Sequence, residues 1–205
     1  MPTQRSIPYK DGIYFITFTC FQWLPLIEKS NAYGEIYSWF DHLVSIGHYI
    51  NGYCIMPNHL HALIAFSTKE RSINTEIGEG KKHLAYSIIK QLKHDADYET
   101  LIQLRNSVPE RKLVNGQRHE VWIKSFNWKE CRSNYFINQK LEYMHENPCT
   151  KKWMLARSPI EYPHSSASFY ETGVGIYPVT HYQKMEDISF IDVKSVENNK
   201  LFRGR

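Results

Sequence analysis

Long apolar runs are missing from this 205-residue chain. No stretch approaches the roughly 20 residues that a membrane-spanning helix needs. The opening Met1-Pro2-Thr3-Gln4-Arg5 leads into no apolar signal segment. Cysteine is sparse: Cys20, Cys54, Cys131 and Cys149 are widely spaced and form no C-x-x-C pair. That spacing excludes a zinc ribbon and indicates no disulfide framework. Charge of one sign is scarce too, with a net +4 at pH 7 and a pI near 8.7. An anionic partner is tolerated by this balance, not demanded by it. Repeats and low-complexity tracts are absent. The chain reads as a soluble, cytoplasmic protein with no membrane partner.

What is present is a globular mixture, 42% hydrophobic and 22% charged, long enough for one well-buried core. Aromatic residues reach 14%, including 14 Tyr and 5 Trp. Aromatic rings build cores, and they also stack on unpaired bases.

Residues 13–21 (IYFITFTCF) are β-branched and aromatic and predict a buried strand. Asn31 is positioned to cap a helix to about Ile46, with Ile36, Trp39, Phe40 and Leu43 on one face and Gly47 as its stop. Residues 49–56 and 59–66 predict two strands joined at Pro57-Asn58. Residues 81–93 carry helical periodicity through Leu84, Ala85, Ile88 and Leu92. Residues 95–118 read as an irregular polar excursion, and 120–126 (EVWIKSF) as a further strand. Ser133 or Asn134 opens a late helix striped by Ile137, Leu141 and Met144 and ended by Asn147-Pro148. The sum is an α+β fold, an antiparallel sheet of four to five strands with flanking helices. The expected division is one domain over 1–173 and a C-terminal extension over 174–205. Ile176, Tyr177, Phe190, Ile191 and Leu201 suggest that the extension packs partly on that domain.

His59 and His61 stand two apart on a strand, so both side chains point to one face while Leu60 points into the core. Two imidazoles so placed can converge on one divalent ion, though they leave a hard cation short of ligands. The spacing equally fits a packed histidine pair. Tyr143 and Asn147, four apart on the late helix, share a face about one turn apart. The Asn147 amide oxygen can serve as a third ligand, which would hold Tyr143 beside the metal. A phenol ordinarily ionises only near pH ~10 and is a poor nucleophile at neutrality, a handicap that a metal on the phosphoryl oxygen offsets. One tyrosine among 14 also fits a helix edge, and spacing alone leaves both readings open.

Tyr53-Cys54-Ile55-Met56-Pro57-Asn58-His59-Leu60-His61 resembles the strand–turn–strand signature of HUH endonucleases, specifically REP-associated tyrosine transposases and related single-tyrosine insertion-sequence transposases. Gln139-Lys140-Leu141-Glu142-Tyr143-Met144-His145-Glu146-Asn147-Pro148 is similar to that family's Tyr-Ile-x-x-Asn-Pro helix. Val121-Trp122 and Pro163-His164-Ser165-Ser166-Ala167 extend the resemblance, which runs from about Ile13 to Tyr170. It implies a ferredoxin-like HUH fold, His59, His61 and Asn147 as metal ligands, and Tyr143 as nucleophile. Many members carry Gln where Asn147 stands, and His145 and Glu146 are close enough to be substitute ligands. Two imidazoles, an amide and waters suit Mg²⁺ or Mn²⁺ rather than a structural zinc or thiolate site.

The activity so implied is DNA transposition chemistry. A single-stranded DNA near a hairpin or inverted repeat is cut and joined by transesterification through a 5′-phosphotyrosine, by a cytoplasmic protein that is nucleoid-associated when bound to DNA. Lys82, Tyr86, Lys90 and Lys93 are the candidate strand-binding residues, on a face that a water-exposed helix would also make polar. Two rivals are a water-using metal nuclease with no covalent intermediate and a domesticated repeat-binding protein with little catalysis. Monomer and homodimer both remain open.

Overall fold

The computed structural model describes residues 6–9, 11–67, 71–114 and 116–185. Its elements in chain order are β1 (Gly12–Thr19), α1 (Leu26–Lys29), α2 (Tyr33–Ser45), β2 (Tyr49–Met56), β3 (His59–Phe66), α3 (Ile73–His94), α4 (Tyr98–Asn106), α5 (Glu110–Val114), β4 (Asn127–Glu130), α6 (Asn134–Glu146) and α7 (Ala167–Thr172). The four strands form one sheet in the order β2-β3-β1-β4, with every neighbouring pair antiparallel. This is the ferredoxin-like arrangement, in which β3 lies between the parallel strands of a split β-α-β unit.

Alternation along the strands divides the core in two. Tyr14, Ile16 and Phe18 of β1, with Leu60, Ala62 and Ile64 of β3, bury against Ile36, Trp39 and Phe40 of α2 and Leu84 and Ile88 of α3. On the other face Phe15, Leu63 and Ala65 pack with Ile137, Leu141 and Met144 of α6. Full burial of such side chains contributes about 1.5–3 kcal/mol each. The apolar stripe of α6 thereby fixes that helix over the face that carries His59 and His61.

Several elements depart from their sequence expectation. Asn31 does not cap α2. It sits at φ 48 with Ala32 as the N-cap, and no side chain closes that end. The helix expected over 81–93 begins at Ile73, where Ser72 Oγ accepts from the Thr75 amide at 3.1 Å. The excursion expected over 95–118 holds helices α4 and α5: Asp97 Oδ1 accepts from the Thr100 amide, Lys29 pairs with Asp97 at 2.9 Å, and Leu101 and Leu104 are buried. No strand runs over 120–126. Trp122 makes a single antiparallel bridge to Cys20, closed by the Phe21 amide on the Val121 carbonyl and the Ile123 amide on the Thr19 carbonyl, and it donates its Nε1 proton to the Lys81 carbonyl. The strand-like apolar character there comes from core packing. The sheet edge is instead the polar β4, which pairs with Tyr14–Thr17.

Within α3, Gly80 faces the Trp39 indole so closely that an added Cβ would lie 2.3 Å from its Nε1. Gly80→Ala is expected to destabilise the protein by about 2 kcal/mol through overpacking, although alanine has the higher helix propensity. A urea midpoint equal to wild type would show that the indole swings clear at no cost. Beyond α7, Tyr177 is buried, stacks on Tyr37 at 5.3 Å and donates to Asp41 Oδ1 at 2.8 Å, while Ile176 is exposed. Phe190, Ile191 and Leu201 lie outside the described residues. All four cysteines are free thiols, and no described helix is long and apolar enough to cross a membrane.

Candidate active site

The register of β1 on β3 sets Thr17 opposite His61 and Thr19 opposite His59, on the face covered by α6. Both imidazoles are buried, their ring centroids 4.7 Å apart. Each is held from behind. His61 Nδ1 meets Thr17 Oγ1 at 2.7 Å, and His59 Nδ1 meets Asn58 Oδ1 at 2.7 Å. Asn58 is pinned in turn, because its Nδ2 donates to the Trp23 carbonyl at 2.9 Å. The acceptor end of that amide therefore faces His59, so Nδ1 carries the proton and Nε2 presents its lone pair to the cleft. Phe15 stacks on His61 at 5.3 Å and fixes the ring plane.

Both Nε2 atoms converge on Asn147, which follows the last residue of α6. Asn147 Nδ2 lies 2.8 Å from His61 Nε2 and 3.3 Å from His59 Nε2. As placed, the amide nitrogen donates to the two imidazoles; turned over, the isosteric oxygen faces them. Among the described residues no group of three His, Cys, Asp or Glu side chains converges. Two imidazoles and an amide oxygen, fixed by outer hydrogen bonds and open to a cleft, fit a hexacoordinate divalent cation that retains waters.

Burial pushes the His59 imidazole down to about 4, with Lys152 adding to the effect. His61 is likewise held well below its ordinary value, first by burial and then by His59 and Lys140. Both are neutral at pH 7, as a ligand imidazole must be.

Tyr143 stands one turn before Asn147 on α6, 54% exposed, its ring 5.4 Å from His61 and 6.0 Å from Phe15. Lys140 Nζ lies 5.6 Å from the same ring, and Lys152 lines the cleft itself. The cleft has a volume of about 790 Å³ and includes Glu146 in its wall. His145 points the other way: it is buried, with Nε2 at 2.8 Å from Ser166 Oγ and its ring against Tyr170.

Burial lowers the His145 imidazole to about 4. Its folded value is below that of the unfolded chain, so the unfolded state takes up the proton first as pH falls. The associated stability is complete above pH ~6.5 and is lost progressively towards pH ~4. His145→Gln is expected to flatten this fall by at most about 3 kcal/mol. The fall persists in part because His59 and His61 titrate in the same sense. Denaturant unfolding at pH 7 and pH 5 checks this, and identical pH slopes in the variant and wild type would contradict it.

Of the candidate strand-binding residues, Lys82, Tyr86 and Lys93 line a second cleft of about 620 Å³ together with Lys112 and Arg118. Lys90 is exposed and does not line it. Residue 123 borders both clefts, and half-buried Lys81 ties it down, its Nζ 3.1 Å from the Ile123 carbonyl. Sequence reasoning missed Thr17, Asn58, Trp23, Lys152 and Trp153. Only Asn58, next to His59, carried a local signal.

No family model matches the chain, and no curated protein matches it. Among solved structures, a REP-associated tyrosine transposase bound to a REP hairpin matches at a TM-score of 0.59 and 16% identity, over 87% of this chain and 89% of that one. The fold is similar to that of this REP-associated tyrosine transposase. A candidate transposase from Deinococcus radiodurans R1 matches more loosely, at a TM-score of 0.37 and 15% identity over 71% of this chain and 97% of that one. The sheet of this chain holds the histidine pair, and α6 lies across that face.

Proposed function

We propose that the protein is a divalent-metal-dependent endonuclease and strand transferase of transposase type, acting on single-stranded DNA near a hairpin or inverted repeat. The observation that carries this reading is the convergence of His59 and His61 Nε2 on Asn147, one helical turn from the exposed Tyr143. The likeness in fold to a transposase bound to a DNA hairpin supports it.

In this reading His59, His61 and the Asn147 oxygen would hold Mg²⁺ or Mn²⁺, which would supply charge neutralisation at the phosphate. Tyr143 Oη attacks the phosphorus and gives up its proton to solvent. The P–O3′ bond breaks, and the departing 3′-oxygen takes up a proton, leaving a 5′-phosphotyrosine and a free 3′-OH. Attack by another 3′-OH on the phosphotyrosine reverses these bond changes and joins strands without ATP. Lys140, beside the Tyr143 ring, attracts the backbone. Lys82, Tyr86 and Lys93 offer a basic, partly aromatic cleft for the rest of the strand.

The test is incubation with Mn²⁺ and single-stranded DNA from the inverted repeats flanking the gene. The expected products are an upstream fragment that ends in a free 3′-OH and a downstream fragment linked to the protein through its 5′-phosphate, an adduct that survives denaturation. Free 5′-phosphate ends without any adduct would instead indicate a water-using nuclease.

A further inference from the structure

The end of the cleft beyond His59 holds side chains to which the tyrosine reading gives no work. Trp23 is 50% exposed and stands edge-on to His59, their ring centroids 5.7 Å apart. Trp153 approaches the same imidazole at 5.6 Å. Lys152 Nζ lies 4.6 Å from the Trp23 ring and 4.7 Å from the Trp153 ring, so one cation sits on both indoles.

This arrangement is held against its local cost. Gln22 and Trp23 sit at φ 51 and φ 60, a left-handed conformation that a non-glycine residue occupies only when its surroundings impose it. The Asn58 amide imposes it here by gripping the Trp23 carbonyl. A strained turn that exposes a large indole contributes little to the core, and it aims that indole at the cleft.

Position along the strands supplies a direction. Phe15 pairs with Leu63, Thr17 with His61 and Thr19 with His59. Tyr143 packs on Phe15 and His61, at one end of the histidine pair, while the indoles pack on His59 at the other. In-line displacement puts nucleophile and leaving oxygen on opposite sides of phosphorus. A phosphate held at the histidines and attacked from the Tyr143 end therefore expels its 3′-oxygen towards the indoles.

We propose that Trp23 and Trp153, with Lys152, form a nucleobase-stacking subsite for the nucleotide that carries the leaving 3′-oxygen. The inference rests on the tyrosine reading of the cleft. The subsite keeps the new 3′-OH strand in place after cleavage, ready for the reverse attack that joins strands. Stacking on an aromatic face is sequence-tolerant, so the subsite sets the polarity of the bound strand and not its sequence.

The experiment uses the full chain with Mg²⁺ at low salt and two heptanucleotides of six thymidines and one 2-aminopurine. One probe carries the 2-aminopurine at a free 3′ end, the other at its 5′ end. Wild type is expected to quench the 3′ probe. Trp23→Ala should weaken binding of that probe about tenfold, the effect of losing one base–aromatic stack, and abolish the quenching. Trp23→Phe should retain most of both, and the 2-aminopurine of the 5′ probe, which lies outside the subsite, should stay unquenched although the 3′-terminal thymidine of that probe binds in the same way. Equal binding of the 3′ probe by wild type and Trp23→Ala overturns the subsite, as does equal quenching of the two probes or no quenching of the 3′ probe by wild type. Adduct formation with hairpin DNA, measured in parallel, separates the two failures. A wild type that forms the adduct while Trp23→Ala binds normally leaves the tyrosine reading standing and removes only the subsite.

Discussion

Tyr143→Phe is expected to abolish the denaturation-resistant DNA adduct and to lower strand cleavage by at least about a thousandfold, the scale on which loss of a nucleophile acts. The substitution removes one oxygen from a half-exposed side chain. The ring contacts to His61 and Phe15 and the nearby Lys140 ammonium do not need that oxygen. Folding, metal affinity and DNA binding are therefore expected to stay at wild-type levels. Loss of the adduct with binding preserved assigns the chemistry to Oη. An adduct of normal yield in the variant would place the nucleophile elsewhere.

The second large effect is expected from the metal half of the site. His61→Gln keeps most of the buried volume beside Phe15 but removes the Nε2 lone pair that faces Asn147. Mn²⁺ affinity should fall by two orders of magnitude or more, since even loss of an outer partner costs a metal site roughly 10–100-fold. Thr17→Val, which removes the hydrogen bond behind His61, should fall within that smaller range. Direct Mn²⁺ binding measured by electron paramagnetic resonance reports both variants without reference to cleavage. The pH dependence follows from the same burial. An exposed imidazole would compete with a proton below pH ~6.5, whereas burial pushes His59 down to about 4 and holds His61 well below its ordinary value. Mn²⁺ affinity of wild type is therefore expected to stay nearly level from pH 7.5 to about pH 5.5. A tenfold loss per pH unit in that range would show that the histidines titrate as exposed groups.

Legibility in the sequence followed the range of the interactions. The β2–β3 hairpin is written locally, in apolar runs flanking Pro57-Asn58, and its strands begin and end where the pattern places them. So is α6, whose Ser133 cap and apolar stripe are contiguous. The support of the histidines was not legible, because Thr17 reaches His61 through strand pairing across 44 residues. Glycines 78 and 80 hid the first turns of α3, where tertiary contact with Trp39 outweighs the weak helix propensity of glycine. The reverse error arose at 120–126, where burial of Val121 and Trp122 imitates a strand that the backbone does not make. The polar edge strand β4 had no apolar alternation to show. His145 looked like a spare ligand by spacing alone; its partner Ser166 lies 21 residues on and turns it away from the cleft.

The central claim is a covalent bond between Tyr143 and DNA, and peptide mapping of the denatured adduct by mass spectrometry tests it most directly. The tryptic peptide that spans Tyr143 should carry a nucleotide through its 5′-phosphate, in a Mn²⁺-dependent yield. A nucleotide found on any other residue, or cleavage with every peptide unmodified, would contradict the account.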